Sequence, residues 1–283
     1  MNIIRSLLFM PGNNPGMLVS ADVLAADAVI FDLEDAVQPE EKDAARNLVE
    51  EALRSLPRAR CPVAVRINPL DSPFWRDDLS VILPARPDAV IIPKATPDVL
   101  RDADAFCREQ TLGLPAVWAL LESPEAIVKL AEFFSSGISP EALLLGGEDY
   151  AASLGVARTK DSRELWLART SLVTYAKAYG CLAIDTPFTD IDDTDGLRRH
   201  AADARALGFD GVLAIHPSQI EVIRQVYLPA RDEIAWAEGV LKAADEAAGK
   251  GQGVFSYDGK MVDRPVILRA RAIMAAAGSV SDA

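Results

Sequence analysis

Short apolar segments recur along the whole chain, and each one ends abruptly in polar or charged residues. They are rich in Val, Ile, Leu and Ala without strict alternation, which is typical of strands buried on both faces of a parallel sheet. We assign eight strands to Ile4–Met10, Ala28–Phe31, Val63–Val65, Ala89–Ile92, Ala116–Leu121, Leu143–Leu145, Leu182–Ile184 and Gly211–Ile215. A helix fits between each pair of strands, so the pattern predicts an α/β protein with a (β/α)8 TIM barrel.

Capping residues mark several of the intervening helices. Thr96 before Pro97 and Ser123 before Pro124 are typical of an N-cap followed by Pro in the first turn. Gly180 and Gly208 stand where C-cap glycines end a helix. The predicted helices are Glu40–Leu56, with a buried face of Ala44, Leu48 and Ala52, and Pro97–Gln110, Pro124–Phe134, Glu164–Tyr179 and Gly196–Leu207.

The chain continues well beyond the last predicted strand, although a barrel of about 250 residues needs no such tail. We divide it into a TIM barrel over residues 1–227 and a C-terminal helical extension over residues 228–283. The extension reads as helices over Pro229–Gly249 and Pro265–Ala277, joined by an extended segment, with a frayed end at Ser279–Ala283. Its mixture of apolar and charged residues favours packing on a neighbouring subunit.

Composition limits the classes of partner. The net charge is −13 and basic residues do not cluster beyond Arg198-Arg199, which argues against nucleic-acid binding. There is no apolar run of the roughly 18 residues that a membrane helix needs, and no signal-peptide pattern. The three cysteines are far apart and odd in number, so a disulfide framework is not expected. We therefore expect a cytoplasmic protein that binds neither nucleic acid nor membrane.

Carboxylates dominate the positions that follow the predicted strands. They are Asp32, Glu34, Asp35, Glu122, Glu148, Asp149 and Asp185. Only two histidines are present, which argues against zinc held by several imidazoles, whereas converging carboxylates suit Mg²⁺ or Mn²⁺. Glu122 and Asp149 follow adjacent strands and are the predicted metal ligands. Helix capping could explain any single carboxylate, but it does not account for all seven.

Other residues near the strand ends are candidates for substrate contacts. Gly146-Gly147 would let the backbone expose N–H groups to an anionic oxygen, so we assign substrate binding to Gly147 and Glu148. Arg66 would either balance carboxylates or hold a carboxylate or developing enolate oxygen. Arg5 is predicted to contact an anion or phosphate. Lys94 would serve a phosphate or pair with a carboxylate, and the sequence does not decide between these roles.

Six motifs together resemble the citrate lyase β-subunit family of the HpcH/HpaI aldolase superfamily. Members are TIM-barrel enzymes of the class that contains citramalyl-CoA and malyl-CoA lyases. The motifs are Arg5-Ser6-Leu7-Leu8-Phe9-Met10-Pro11-Gly12, Phe31-Asp32-Leu33-Glu34-Asp35-Ala36-Val37, Val65-Arg66-Ile67-Asn68, Leu120-Leu121-Glu122-Ser123-Pro124, Leu145-Gly146-Gly147-Glu148-Asp149-Tyr150 and Gly259-Lys260-Met261-Val262-Asp263-Arg264-Pro265-Val266-Ile267. The resemblance covers nearly the whole chain in order.

The resemblance implies roles for particular residues. Mg²⁺ (or Mn²⁺) would be bound by Glu122 and Asp149, with Arg66 beside the reacting thioester. The C-terminal segment would close over a neighbour's barrel and bring in Asp263 as an acid/base group. We expect Arg66, Asp263 and Glu34 to be the catalytic residues. Asp32 and Asp35 would support them, and Glu34 and Asp35 would orient Arg66 and the metal's waters.

The implied reaction is a Mg²⁺-dependent retro-Claisen cleavage of a 3-hydroxy-3-carboxyacyl thioester through a thioester enolate. The acyl group would be citryl-, citramalyl- or malyl-like, carried by coenzyme A or an acyl-carrier protein. A thioesterase or a 2-keto-acid aldolase on the same barrel is an alternative, as is an assembly subunit of a citrate lyase complex. We expect a homo-oligomer, a trimer or hexamer, either alone or within such a complex.

Overall fold

The computed structural model describes residues 4–56, 61–135, 137–249 and 251–278. Eight parallel strands pair in sequence order and close into a barrel, because the first strand also pairs with the eighth. The strands are β1 (Ser6–Pro11), β2 (Ala28–Asp32), β3 (Val63–Arg66), β4 (Ala89–Ile92), β5 (Ala116–Leu121), β6 (Ala142–Leu145), β7 (Leu182–Asp185) and β8 (Gly211–Ala214). The predicted TIM barrel is confirmed.

Helices connect the strands and surround the barrel. They are α1 (Pro15–Val19), α2 (Lys42–Ser55), α3 (Trp75–Ile82), α4 (Pro97–Glu109), α5 (Pro124–Val128), α6 (Leu130–Phe133), α7 (Gly147–Leu154), α8 (Trp166–Tyr179), α9 (Thr194–Leu207) and α10 (Ser218–Tyr227). The predicted single helix over Pro124–Phe134 is wrong, because Lys129 leaves helical geometry and divides it into α5 and α6. The sequence also missed α1, α3, α7 and α10.

The predicted caps are present. Thr96 Oγ1 accepts a hydrogen bond from Val99 N at 3.3 Å, and Ser123 Oγ accepts one from Ala126 N at 3.2 Å. Gly180 and Gly208 take the left-handed conformation at the ends of α8 and α9, with φ of 74° and 102°. Local capping therefore fixes where these helices begin and end, in agreement with the sequence pattern.

The barrel interior is a packed apolar core. Alternate residues of each strand point inward, and the inward set includes Leu7, Ile30, Ala64, Ile91, Trp118, Leu120, Leu144, Ile184 and Leu213. In the pairing of β2 with β3, Ile30 lies opposite Ala64 and Asp32 lies opposite Arg66. The same alternation therefore turns Asp32 and Arg66, at the carboxyl ends of these two strands, toward the barrel axis.

A second compact unit begins at Gln225. It contains α11 (Arg231–Ala248), an antiparallel hairpin of β9 (Phe255–Tyr257) and β10 (Lys260–Val262), and α12 (Arg264–Gly278). Its own small core is built from Ala237, Val240, Val262 and Ala270, with half-buried aromatic and aliphatic side chains packed against them. The predicted frayed end, Ser279–Ala283, lies outside the described residues. No helix in the described ranges is both long and apolar enough to span a membrane.

The barrel closes where β8 packs against the residues that precede β1, and a substitution at Gly211 tests this contact. A Cβ at Gly211 would lie 2.6 Å from Ile4 O and 2.7 Å from Arg5 O, and these backbone atoms cannot rotate away. We expect Gly211→Ala to lower the free energy of unfolding by about 1–3 kcal/mol, measured by urea unfolding. Gly113→Ala is the matched control, because a Cβ there meets nothing within 4 Å. Equal stability of the two variants would contradict this account of the closure.

Candidate active site

A cavity of about 390 Å³ opens at the carboxyl ends of the strands. Its lining contains most of the residues that the sequence singled out, namely Asp32, Asp35, Arg66, Glu122, Gly147, Glu148 and Asp149. Phe9, Leu120, Thr186, Pro187 and Ile215 add an apolar wall and one hydroxyl. The cavity therefore combines many carboxylates with a single lining arginine, at the end of the barrel where TIM-barrel enzymes place their chemistry.

Arg66 is held by carboxylates on three sides. Its Nε and Nη2 donate to the two oxygens of Asp32 at 2.7 and 2.6 Å, and Nη1 lies 2.7 Å from Glu34 Oε2. Asp35 stands 3.5 Å from Nη1, and the guanidinium lies over the Phe9 ring at 4.7 Å. Burial alone would lower the pKa of Arg66, but these anions raise it above its usual value. The guanidinium is therefore a fixed positive charge in a set orientation.

Glu34 is a buried carboxyl with a perturbed acidity. Burial raises its pKa to about 7, and the charges of Asp35 and Asp32 add to the rise, while Arg66 and Lys94 oppose it. A carboxyl with a pKa near neutrality can both accept and release a proton under ordinary conditions. This property fits the predicted role of Glu34 as a catalytic group.

Glu122 lies directly after β5 and is only 4% exposed. Burial raises its pKa to about 8, with further increases from the charges of Glu34 and Asp149. One of its oxygens, Oε2, accepts a hydrogen bond from the backbone N–H of Lys94 at 3.2 Å. Asp149, by contrast, is exposed on the first turn of α7. The charge of Arg66 and the Lys94 N–H oppose the rise in the pKa of Glu122, but within the described residues no cationic side chain forms an ion pair with it.

This donor set fits a divalent cation with an open coordination sphere. The described residues contain no group of three or more His, Cys, Asp or Glu side chains arranged to hold a metal. Two carboxylates are nevertheless the usual protein share for Mg²⁺, which keeps several waters and substrate oxygens as its other ligands. A buried carboxyl whose ionised form is destabilised is the kind of group that such an ion would compensate.

Packing requires the glycine pair at the start of α7, where Gly146 is the N-cap and Gly147 the first helical residue. A Cβ at Gly146 would lie 2.4 Å from Glu122 Cγ, and a Cβ at Gly147 would lie 2.7 Å from Thr186 Oγ1. The N–H of Gly147 donates to Thr186 Oγ1 at 3.0 Å. This hydroxyl thus accepts the N–H assigned to a substrate from the sequence, and substrate binding by Gly147, which lines the cavity, stays a prediction. Glu148 is at the rim, where its carboxylate pairs with Arg158 at 3.1 Å.

Two further strand-end residues lie away from the cavity. Arg5 precedes β1, and its backbone N–H bonds Asp27 Oδ2 at the amino end of the barrel. Arg5 is not among the residues that line this cavity, so its contact with an anion stays a prediction. Asp185 points outward from β7 and pairs with Arg169 at 2.6 Å. Its Oδ1 accepts from the N–H of Thr186, so it fixes the segment that carries the cavity hydroxyl.

The buried side chains that fix the loops of the site were not predicted from the sequence. Lys42 is buried on α2, and its Nζ donates to the backbone oxygens of Leu33 and Glu34, at 2.7 Å each. One turn later, Arg46 Nε donates to Asp78 Oδ1 at 2.8 Å, and Asp78 Oδ2 accepts from Asn68 N at 2.9 Å. One face of α2 therefore fixes the segments that follow β2 and β3.

The buried face of α2 differs from the predicted one. The buried residues are Lys42, Ala45, Arg46, Val49 and Ala52, so of the predicted Ala44, Leu48 and Ala52 only Ala52 is buried. A signal was present, since Lys42 and Arg46 have the spacing of one helical turn. Charged residues one helical turn apart are more often exposed to solvent, so this spacing did not identify Lys42 and Arg46 as buried.

Asp263 belongs to the second unit, immediately before α12. Its Oδ1 accepts a hydrogen bond from Val266 N at 3.4 Å, and its backbone oxygen accepts one from Ile267 N at 3.1 Å. The side chain is half-buried. It therefore has a capping role within its own unit, whatever chemistry it also performs.

Removal of the buried carboxyl gives a pH-dependent test. Because the pKa of Glu122 is about 8 in the folded protein, against 4.5 for the exposed group, its contribution to stability is lost as the pH rises through this window. We expect Glu122→Gln to stabilise the metal-free protein relative to wild type by about 1–3 kcal/mol at pH 8.5, and by less at pH 5.5, in urea unfolding with a chelator. Glu125→Gln, at an exposed position on α5, should show no such trend. A Glu122→Gln effect that does not grow with pH would argue against the raised pKa.

Comparisons with known proteins agree with this architecture and site. Residues 5–217 match the HpcH/HpaI aldolase/citrate lyase family. The citrate lyase subunit beta of Leuconostoc mesenteroides subsp. cremoris is 39% identical over 277 residues, covering 95% of this chain and 92% of that protein. A (3S)-malyl-CoA thioesterase of Cereibacter sphaeroides is 34% identical, with 98% and 95% covered. The crystal structure of protein CitE from Mycobacterium tuberculosis in complex with magnesium, acetoacetate and coenzyme A superposes with a TM-score of 0.83, at 34% identity and 98% coverage of both chains. The chain therefore belongs to the HpcH/HpaI aldolase/citrate lyase family.

Proposed function

We propose that the protein is a Mg²⁺-dependent lyase that cleaves a carbon–carbon bond in a 3-hydroxy-3-carboxyacyl thioester. The observation that carries this proposal is one cavity that combines the buried Glu122, the nearby Asp149 and an Arg66 held rigidly by anions. The structurally similar CitE of Mycobacterium tuberculosis binds magnesium, acetoacetate and coenzyme A, which supports a thioester substrate here.

The reaction has a simple electron balance. The substrate hydroxyl loses its proton, the bond between the hydroxyl carbon and the carbon next to the thioester breaks, and the bonding pair moves into a thioester enolate. The hydroxyl carbon becomes the ketone or aldehyde of a 2-oxo acid. Protonation of the enolate carbon then gives an acetyl thioester, so no oxidant or further reactant is needed.

Glu122 and Asp149 are the residues that would hold the metal. Bound there, Mg²⁺ would supply positive charge that lowers the pKa of a hydroxyl and stabilises negative charge on the oxygens of a 2-oxo acid. The site is chemically suited to this, since a neutral buried Glu122 must lose its proton before it can act as a ligand.

Arg66 is placed to stabilise the enolate oxygen. Its bidentate bond to Asp32 fixes the guanidinium plane and uses one N–H of Nη2, so that nitrogen keeps a second N–H, while Nη1 forms an ion pair with Glu34. A donor that is already oriented needs no rearrangement when charge develops on the thioester oxygen. The expected contribution is about 3 kcal/mol of transition-state stabilisation.

Two carboxyls are candidates for moving protons. Glu34, with a pKa of about 7, is suited to accept the hydroxyl proton, a role for which the sequence suggested no residue. Asp263 would protonate the enolate carbon. In this proposal the extension of residues 228–283 packs on a neighbouring subunit of a homo-oligomer, a trimer or hexamer, and presents Asp263 there. The same chain could act within a citrate lyase complex.

Thioester hydrolysis is a second candidate, favoured by the similarity to a (3S)-malyl-CoA thioesterase. Water attack on the thioester would release a free thiol and the intact hydroxy acid. The two reactions are distinguished by their products, because only the lyase forms a 2-oxo acid.

The metal assignment predicts the behaviour of two variants. Glu122→Gln and Asp149→Asn should each lower Mg²⁺-dependent cleavage by at least about a hundredfold, since each removes one of two anionic ligands. The assay measures 2-oxo acid and free thiol with citryl-, citramalyl- and malyl-CoA, with and without Mg²⁺. Calorimetric titration with Mg²⁺ should show the same loss without substrate. Glu125→Gln should behave like wild type, and full turnover by either ligand variant would remove the assignment.

Shared sites predict complementation between subunits. Arg66→Ala and Asp263→Ala should each be inactive alone, whereas mixed oligomers should regain part of the activity, because some sites would combine an intact Arg66 with an intact Asp263 from the neighbour. The mixture is prepared by joint refolding or co-expression and assayed for 2-oxo acid. Absence of any recovery in verified mixed oligomers would mean that Asp263 does not act across subunits.

A further inference from the structure

Lys94 has an unusual backbone conformation at the end of β4. Its φ is 47°, in the left-handed region that glycine adopts freely and that other residues occupy at an energetic cost. It follows Pro93 and stands at the same end of the barrel as the cavity, since its N–H bonds the cavity residue Glu122. A strained residue beside a buried carboxyl requires an explanation.

The hydrogen bond from the backbone of residue 94 does not explain why this residue is a lysine. The hydrogen bond from N–H to Glu122 Oε2, at 3.2 Å, depends on the left-handed conformation and on no atom of the side chain. Glycine would make the same bond without the steric cost. The backbone conformation therefore does not explain why this residue has an ammonium group.

The ammonium group differs from the other cations near the site. Lys94 is exposed, and in the part of the chain that the structure describes no carboxylate forms an ion pair with it within 4.0 Å. Arg66 and Arg158 are both paired with acidic side chains. The charge of Lys94 nevertheless reaches the site, where it lowers the pKa of Glu34. The described residues thus leave the ammonium group of Lys94 without an ion-pair partner and available to a ligand.

The proposed substrate is anionic, so a positive charge near the cavity would favour its binding. The cavity lining carries five carboxylates, Asp32, Asp35, Glu122, Glu148 and Asp149, and the whole chain has a net charge of −13. An anionic substrate would therefore be repelled unless local cations oppose the overall field. Arg66 already pairs with acidic neighbours, whereas Lys94 is an exposed cation for which the described residues supply no such partner.

We propose that Lys94 binds an anionic oxygen of the substrate, either the acyl carboxylate or a phosphate of the thioester carrier. This inference rests on the proposed thioester reaction. The sequence left two roles open for Lys94, contact with a phosphate or pairing with a carboxylate of the protein. The proposal favours contact with a ligand. The strained backbone places Lys94 N–H on Glu122 and leaves the side chain for the substrate.

The test separates the ammonium from the backbone. Lys94→Gly keeps the left-handed conformation and the N–H but removes the charge, and Lys94→Gln removes the charge but keeps the strain. We expect both to raise KM about tenfold, the loss of one charge-assisted contact, with kcat within about twofold. Lys94→Gly should also have a Tm at or above that of wild type, which excludes misfolding as the cause.

A matched control lies at the other end of the same strand. Arg86 is also an exposed cation with positive φ, 59°, before β4. Arg86→Gly removes the same charge and the same kind of strain and should leave KM unchanged. The KM of wild type should rise with ionic strength more steeply than that of Lys94→Gly, because screening weakens the lost interaction.

Two substrates identify the anionic group. If Lys94 binds the acyl carboxylate, the KM effect persists with an N-acetylcysteamine thioester, which has no phosphate; if it binds a phosphate, the effect disappears there and remains with coenzyme A. Unchanged KM for both substrates in both variants overturns the inference. Should wild type cleave no thioester, the proposed function fails, but calorimetric titration with coenzyme A and with acetoacetate still decides: weaker binding of either by Lys94→Gly supports the contact, and equal binding of both overturns it.

Discussion

The pairing of Asp32 with Arg66 is the interaction on which the rest of the site depends. It joins the last residues of two adjacent strands, so barrel register brings the two groups opposite each other. Once the guanidinium is fixed on Asp32, its remaining nitrogen meets Glu34, and Glu34 in turn shifts the acidity of Glu122. A fixed charge thus sets the electrostatics of groups on three different strands. Buried ion pairs of this kind add little net stability, and their value here is orientation.

The same site is costly for the metal-free fold. Glu34 and Glu122 are buried carboxyls with raised pKa values, and burial of ionisable groups without full compensation opposes folding. The barrel tolerates this because the interior below the site is a continuous apolar core. Lys42, Arg46 and Asp78 hold the loops from below. The polar mouth is therefore supported by a stable base, which is a common arrangement in enzymes of this fold.

Much of the fold could be predicted from the sequence, because strands buried on both faces leave uninterrupted apolar runs and because Thr96, Ser123, Gly180 and Gly208 mark helix ends. The strand ends also indicated Asp32, Arg66, Glu122 and Asp149 without any knowledge of contacts. Other features could not be inferred. Arg5 precedes β1 and is not among the residues that line the cavity, and in sequence Lys42 and Arg46 resemble solvated helix residues. The backbone strain at Lys94 and the hydroxyl partner of Gly147 depend on tertiary geometry that has no local signature.

The missing side chain at Gly146 links two distant positions in the chain. The volume that a Cβ would occupy there is taken by the γ methylene carbon of Glu122, so this glutamate fits only because residue 146 has no side chain. Substitution at either position changes which residues the other can accept. Related sequences should therefore show covariation: glutamate at position 122 requires glycine at position 146, whereas a side chain that ends at Cβ, such as alanine, at position 122 would admit alanine at position 146. The identity of a glycine can in this way report whether the facing residue on the neighbouring strand carries a γ carbon.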